Sequence, residues 1–137
     1  MLAGAAALAA CGGDGGGAAT EPPPPVQPTA PVAVPGMLTV NLVSPNADDG
    51  AILLEISGPA PAAEPTTAAQ GVVVHARASG NTTRVAAFGA IGAGALLRFS
   101  VPDVNAAPQY TARAIEASDR GSTLRTSVTG YQLTIAP

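Results

Sequence analysis

One cysteine, one histidine and no lysine leave this chain of 137 residues with few groups able to do chemistry. Cys11 is the only thiol, so an intramolecular disulfide is excluded. His75 stands alone in an alternating segment, Val72-Val73-Val74-His75-Ala76-Arg77, and reads as an ordinary strand residue. Neither a Ser-His-Asp arrangement nor a Cys-His pair can be credibly assembled, and a structural zinc site lacks its ligands. The chain therefore reads as a non-enzyme with no cofactor. Asn46, Asp48 and Asp49, directly before Gly50, are weak calcium candidates, because calcium takes oxygen ligands from such loops. The bidentate glutamate that closes a calcium loop twelve residues after its start is missing, and Asx-rich turns also form for backbone reasons alone. Asp103 and Asn105 lie in another such turn. His75, Arg77 and Arg84 could form an anion- or partner-binding stripe on a strand face, against the plainer alternative of a solvated face.

Cys11 has a second chemistry. It ends the run Leu8-Ala9-Ala10-Cys11, after an apolar stretch and before Gly12-Gly13. The run resembles the lipobox of bacterial lipoproteins, and the resemblance implies cleavage before Cys11 and acylation of that residue. Residues 1–10 are then a signal peptide. They are far short of the roughly 20 apolar residues of a membrane-crossing helix. No Lys or Arg precedes the apolar run, a departure from the signal-peptide pattern that points to a start upstream of Met1 or to a truncated sequence. Each buried CH2 of an acyl chain contributes roughly 0.8 kcal/mol, so two or three chains hold durably. In the same family an aspartate after the cysteine favours inner-membrane retention. Gly12 stands there, so the resemblance permits an outer-membrane or cell-surface location.

Composition limits the remainder. With 47% hydrophobic residues, 3% aromatic, 16 Gly and 14 Pro, the chain can form one modest domain with much linker and turn. A net charge of -3, with all six positive charges on arginine, gives no general attraction to nucleic acid or anionic lipid. Residues 11–36 form a lipidated cysteine and a disordered linker in this reading. The glycines of residues 12–17 give a freely jointed coil, and Pro22-Pro23-Pro24-Pro25 with Pro28, Pro31 and Pro35 favours polyproline II. At about 3.1 Å per residue, residues 21–36 reach on the order of 50 Å. Such a run can also dock in an SH3-type groove. Its place after the cysteine and the lack of a flanking Arg or Lys favour a spacer.

From Met37 to the end, short alternating segments are separated by turn residues. Leu38, Val40 and Leu42 make a first strand, and Ile52, Leu54 and Ile56 a second after an Asx-rich turn. Residues 58–71, with Pro59, Pro61 and Pro65, are expected to wander at the surface. Residues 72–77 and 82–88 read as strands three and four. If Gly80-Asn81 is the loop between them, Val72, Val74 and Ala76 share a face with Val85 and Ala87, and Arg77 stands opposite Arg84. Like charges so placed need an anion, a neighbouring carboxylate or a longer loop. Leu97, Phe99 and Val101 mark a fifth strand. A sixth runs from Tyr110 to Ala117 with its inward face ambiguous, and a last carries Val128, Tyr131, Leu133 and Ile135. Residues 89–94 read G-x-x-G-x-G before a strand, which is not the dinucleotide fingerprint.

Seven strands without an amphipathic helix favour an all-β domain over residues 37–137, a seven-stranded antiparallel β-sandwich. A barrel is the alternative. The arrangement is similar to immunoglobulin-like and fibronectin type III modules, and more loosely to the cohesin sandwich. Pro108-Gln109-Tyr110 sits where such modules keep a tyrosine whose hydroxyl bonds back to the preceding corner; the Cys pair and core Trp of antibody domains are absent. Phe88, Phe99, Tyr110 and Tyr131 are the only aromatics available to fill a core. Together these features describe a monomeric, lipid-anchored envelope protein whose sandwich binds a protein or glycan. The alternative is a purely structural envelope lipoprotein, or a subunit of an envelope complex without its own ligand.

Overall fold

Alternation at Leu38, Val40 and Leu42 builds β1 (Gly36–Val43), and all three side chains are fully buried. The same period in β2 (Asp49–Ser57) buries Ile52, Leu54 and Ile56. Six further strands follow: β3 (Ala63–Thr67), β4 (Val72–Ser79), β5 (Thr82–Gly89), β6 (Gly94–Val101), β7 (Thr111–Asp119) and β8 (Gln132–Ala136). A short 3-10 helix, Val104–Gln109, bridges β6 and β7. The computed structural model describes residues 16, 17 and 20–137, so the candidate signal segment and Cys11 lie outside the described residues. Contacts divide the chain into a first unit ending at Ala30 and a second, Pro31–Pro137. In the first unit the described residues carry no helix or strand and are exposed.

The second unit is all-β, with two four-stranded antiparallel sheets ordered β3-β6-β1-β8 and β4-β5-β2-β7. Their apolar faces share one core, in the manner of a β-sandwich. There are eight strands rather than seven. The additional one, β3, lies in the proline-bearing stretch expected to wander, where Pro65 and an irregular register between Ala63 and Thr66 hide any alternation. It is held by β6, some thirty residues later in the chain, so only a non-local partner makes it a strand.

The β4–β5 hairpin has the register expected from a Gly80-Asn81 loop. Val74 faces Ala87, Ala76 faces Val85 and Arg77 faces Arg84. Gly80 takes φ 59°, the left-handed value that a II′ turn demands at its first loop position. The ambiguous face of β7 is explained by a bulge. Leu54 pairs with Ala114 but Leu53 with Glu116, so Ile115 is the extra residue and the inward set runs Ala112, Ala114, Ala117. Val128 lies before β8 rather than within a strand.

Of the four aromatics, Phe99 and Tyr110 are buried in the core, with ring centroids 5.6 Å apart, and Tyr131 packs half-buried against it. Tyr110 lies so close over Gly58 that any Cβ there would collide with its ring. The hydroxyl oxygen is buried without a hydrogen-bond partner, so the corner bond expected of it is not made, and burial pushes the phenol's pKa up. At the start of the unit, the Val104 amide donates to the Val34 carbonyl (2.8 Å), and the Val34 amide donates to Asp103 Oδ1 (3.1 Å). Asp103 also caps the 3-10 helix through the Asn105 amide, and these two backbone donors hold its carboxyl below the usual range.

Candidate functional site

The outward residues of β4, β5, β2 and β7 form one open face, and period-two alternation decides what it carries. Glu55, at the middle of β2, stands between Arg84 of β5 and Arg113 of β7 in direct cross-strand register. Arg113 Nη2 and Nε donate to Glu55 Oε1 at 2.7 and 3.0 Å, and Arg84 Nε donates to Oε2 at 3.3 Å. One carboxylate thus serves two guanidinium groups. Of the three remedies open to the Arg77–Arg84 pairing, a neighbouring carboxylate is thus present, on the Arg84 side. Arg77 itself makes no ion pair among the described residues. The face carries three arginines against one glutamate here, opposite in sign to the chain's net charge of -3. Arg77, Arg84 and Glu55 line, with Ser79 and Thr82, a hollow of about 510 Å³.

Towards the other end the same face is largely apolar, with Glu116 its one carboxylate among the described residues. Val73, Phe88 and Leu124 are exposed, and Phe88 and Leu124 border a hollow of about 310 Å³ with Ala51, Leu53 and Ala86. His75 links the two halves, its ring 6.2 Å from that of Phe88 at a tilt of 60°. The three residues singled out as a stripe, His75, Arg77 and Arg84, are therefore brought together and exposed. Glu55 and Arg113 belong with them and were not singled out from the sequence. Their signal was a charged residue at an outward position of an alternating segment, Glu55 between Leu54 and Ile56 and Arg113 between Ala112 and Ala114.

Asn46, Asp48 and Asp49 also come together, at the β1–β2 turn, but around a guanidinium. Asp49 is fully buried. Its Oδ1 accepts from Arg125 Nε (3.2 Å) and Nη2 (3.0 Å), its Oδ2 accepts from Ser44 Oγ (2.5 Å), and the Tyr131 hydroxyl lies 2.8 and 2.9 Å from the two oxygens. Asp48 Oδ1 accepts from the same Arg125 Nη2 at 2.6 Å, and Asn46 Nδ2 donates to the Tyr131 oxygen at 2.9 Å. Arg125 and Tyr131 come from the β7–β8 connection, so the cluster ties that long loop to the turn. Its acceptors are filled by protein donors, and the cationic position beside the two carboxylates is held by Arg125. Asp103 likewise accepts from Val34 and Asn105. Among the described residues no group of three or more His, Cys, Asp and Glu is placed to hold a metal ion.

The charge network sets a pH dependence. The hydrogen bonds from Arg113 and then Arg84 hold Glu55 below the usual carboxylate range, and Arg125 does the same to Asp48, whose own effect on Arg125 is to raise the guanidinium's pKa. A carboxyl with a lowered folded pKa binds protons more readily when unfolded, so its stabilisation is complete above the usual range and is lost as pH falls through it. The melting temperature is expected to be flat down to about pH 5 and to fall below that. Glu55→Gln should flatten part of the acid limb in thermal melts; an unchanged limb would remove Glu55 from the account.

Among the described residues no helix is long and apolar enough to cross a membrane. No protein-family model, no curated protein and no solved structure matches the chain.

Proposed function

We propose that the chain is a bacterial envelope lipoprotein, anchored by lipid on Cys11, that displays a non-catalytic, immunoglobulin-like sandwich to bind a partner. The observation that carries the binding reading is the outer face of the β4-β5-β2-β7 sheet. There an arginine excess adjoins an exposed hollow that is largely apolar, and Arg77 lacks a carboxylate among the described residues. Burying such a surface against a complementary one removes apolar area from water and supplies the missing counter-charge. The anchor reading is supported by Leu8-Ala9-Ala10-Cys11 and by the glycine- and proline-rich residues that follow, which suit a spacer between lipid headgroups and a module. An outer-membrane or cell-surface location follows from the same segment.

The test is expression in a bacterial host, with the gene's own upstream region, in the presence of radiolabelled palmitate. Label is expected in the wild-type chain and in membranes, and is expected to vanish in Cys11→Ala. A wild-type chain without label would remove the envelope placement, leaving the sheet face to be judged by its own binding.

A further inference from the structure

We infer that the free side of β4 is a docking edge for an extended acidic segment of a partner protein, which adds to the β4-β5-β2-β7 sheet as a fifth strand. The hairpin decides which backbone groups are free. A two-residue loop makes the flanking pair, Ser79 and Thr82, a hydrogen-bonded pair, so Arg77, His75 and Val73 also direct their backbone groups towards β5. The alternate residues Val72, Val74, Ala76 and Ala78 then direct theirs away from the sheet. Among the described residues no backbone hydrogen bond from outside the ladder meets them.

The other three edges are blunted in ways that β4 is not. β3 has five residues, Pro65, an irregular register and Glu64 at φ 47°. β8 has only five residues. β7 is bulged at Ile115 and covered at its end, where Ser118 bridges Leu124 and the Arg125 amide donates to the Ala117 carbonyl. β4 runs for eight residues in unbroken register, without proline or bulge. Natural sheets guard such an edge unless it is used, and strand addition is a common mode of peptide recognition.

Charge selects the occupant. Outward side chains of an added strand would lie beside His75, Arg77 and Ser79. Among the described residues Arg77 has no carboxylate there, and Arg84 shares Glu55 with Arg113. A carboxylate on alternate residues of the incoming strand would answer Arg77, while the intervening apolar residues would extend the inner face past Val72 and Val74. This proposal rests on the binding-module reading and names the partner's chemistry.

The probes are a synthetic octapeptide alternating valine with glutamate and its counterpart with lysine in place of glutamate, titrated into the full chain. Binding is followed by amide chemical shifts and hydrogen exchange. The glutamate peptide is expected to bind at least tenfold more tightly than the lysine peptide and to slow exchange at Val72, Val74, Ala76 and Ala78. Arg77→Glu should reverse the preference. Ala76→Pro, which removes one edge-facing N–H, should weaken both peptides at least tenfold; were that variant to misfold, the reversal in Arg77→Glu, a surface change, decides alone. Equal affinities, shifts confined to the hollow around Phe88 and Leu124, or a dimer in sedimentation without peptide that protects the same amides would each overturn the inference. Palmitate labelling reads the anchor independently, so its success beside a silent edge would sink this inference and leave the anchored placement standing.

Discussion

Phe99→Ala is expected to lower the free energy of unfolding by about 3–5 kcal/mol, the usual range for removing a buried phenylalanine. Phe99 is fully buried on β6, directly opposite Leu38 of β1, and its ring meets that of Tyr110. The magnitude should lie at the upper end because little nearby can collapse into the gap. Tyr110 is held against Gly58, Phe88 is turned to the open sheet face, and Tyr131, packed against the core's margin, has its hydroxyl tied to Asp49. Domains of this size have a total stability of about 5–15 kcal/mol, so the variant should melt on the order of 10–30 °C lower. Urea denaturation of both proteins measures the difference. A loss below about 1 kcal/mol would mean that the Phe99 site repacks and that the core does not depend on this contact.

Asp49→Ala should be comparably damaging for a different reason. The substitution removes no large volume, but it strips the acceptor from three donors at once. Arg125, Tyr131 and Ser44, all half-buried, would be left facing a methyl group, with Asp48 as the one carboxylate remaining to Arg125 among the described residues. Breaking a buried, hydrogen-bonded charge by deleting one partner costs about 3–5 kcal/mol. Tyr131→Phe, which leaves the carboxylate its other donors, should cost about 1.5–3 kcal/mol. The ordering is the decisive readout in chemical denaturation. If Asp49→Ala proved milder than Tyr131→Phe, the bond from Asn46 to the Tyr131 hydroxyl rather than the carboxylate would be holding the β7–β8 connection.

The contrast between these two sites shows what alternation can and cannot reveal. Phe99, Leu54 and the hairpin register were legible, because burial on one strand face repeats every second residue and a Gly-Asn loop fixes which residues stand opposite. The Arg77–Arg84 clash could also be read, with an anion, a neighbouring carboxylate or a longer loop as its remedies, but not that Glu55 would stand beside Arg84. β3 was illegible because Pro65 masks its pattern and its only partner is distant. β7 was ambiguous because the bulge at Ile115 reverses its alternation midway. Asn46, Asp48 and Asp49 were legible as a cluster of oxygens, but the group that satisfies them was not, since Arg125 and Tyr131 stand 76 and 82 residues beyond Asp49. A cluster of acceptors in a sequence states a demand for positive charge or donors. Only the folded chain shows which residue meets it.

The junction at Val34 has a mechanical side. β1 lies between β6 and β8, antiparallel to both, and the chain enters it just after the paired Val34 and Val104. A pull on the preceding residues must first part that clasp. It then drags an interior strand lengthwise against two ladders together, loading their hydrogen bonds in shear rather than opening them one after another. For a module towed from its leading end, that is the direction in which a sheet yields last.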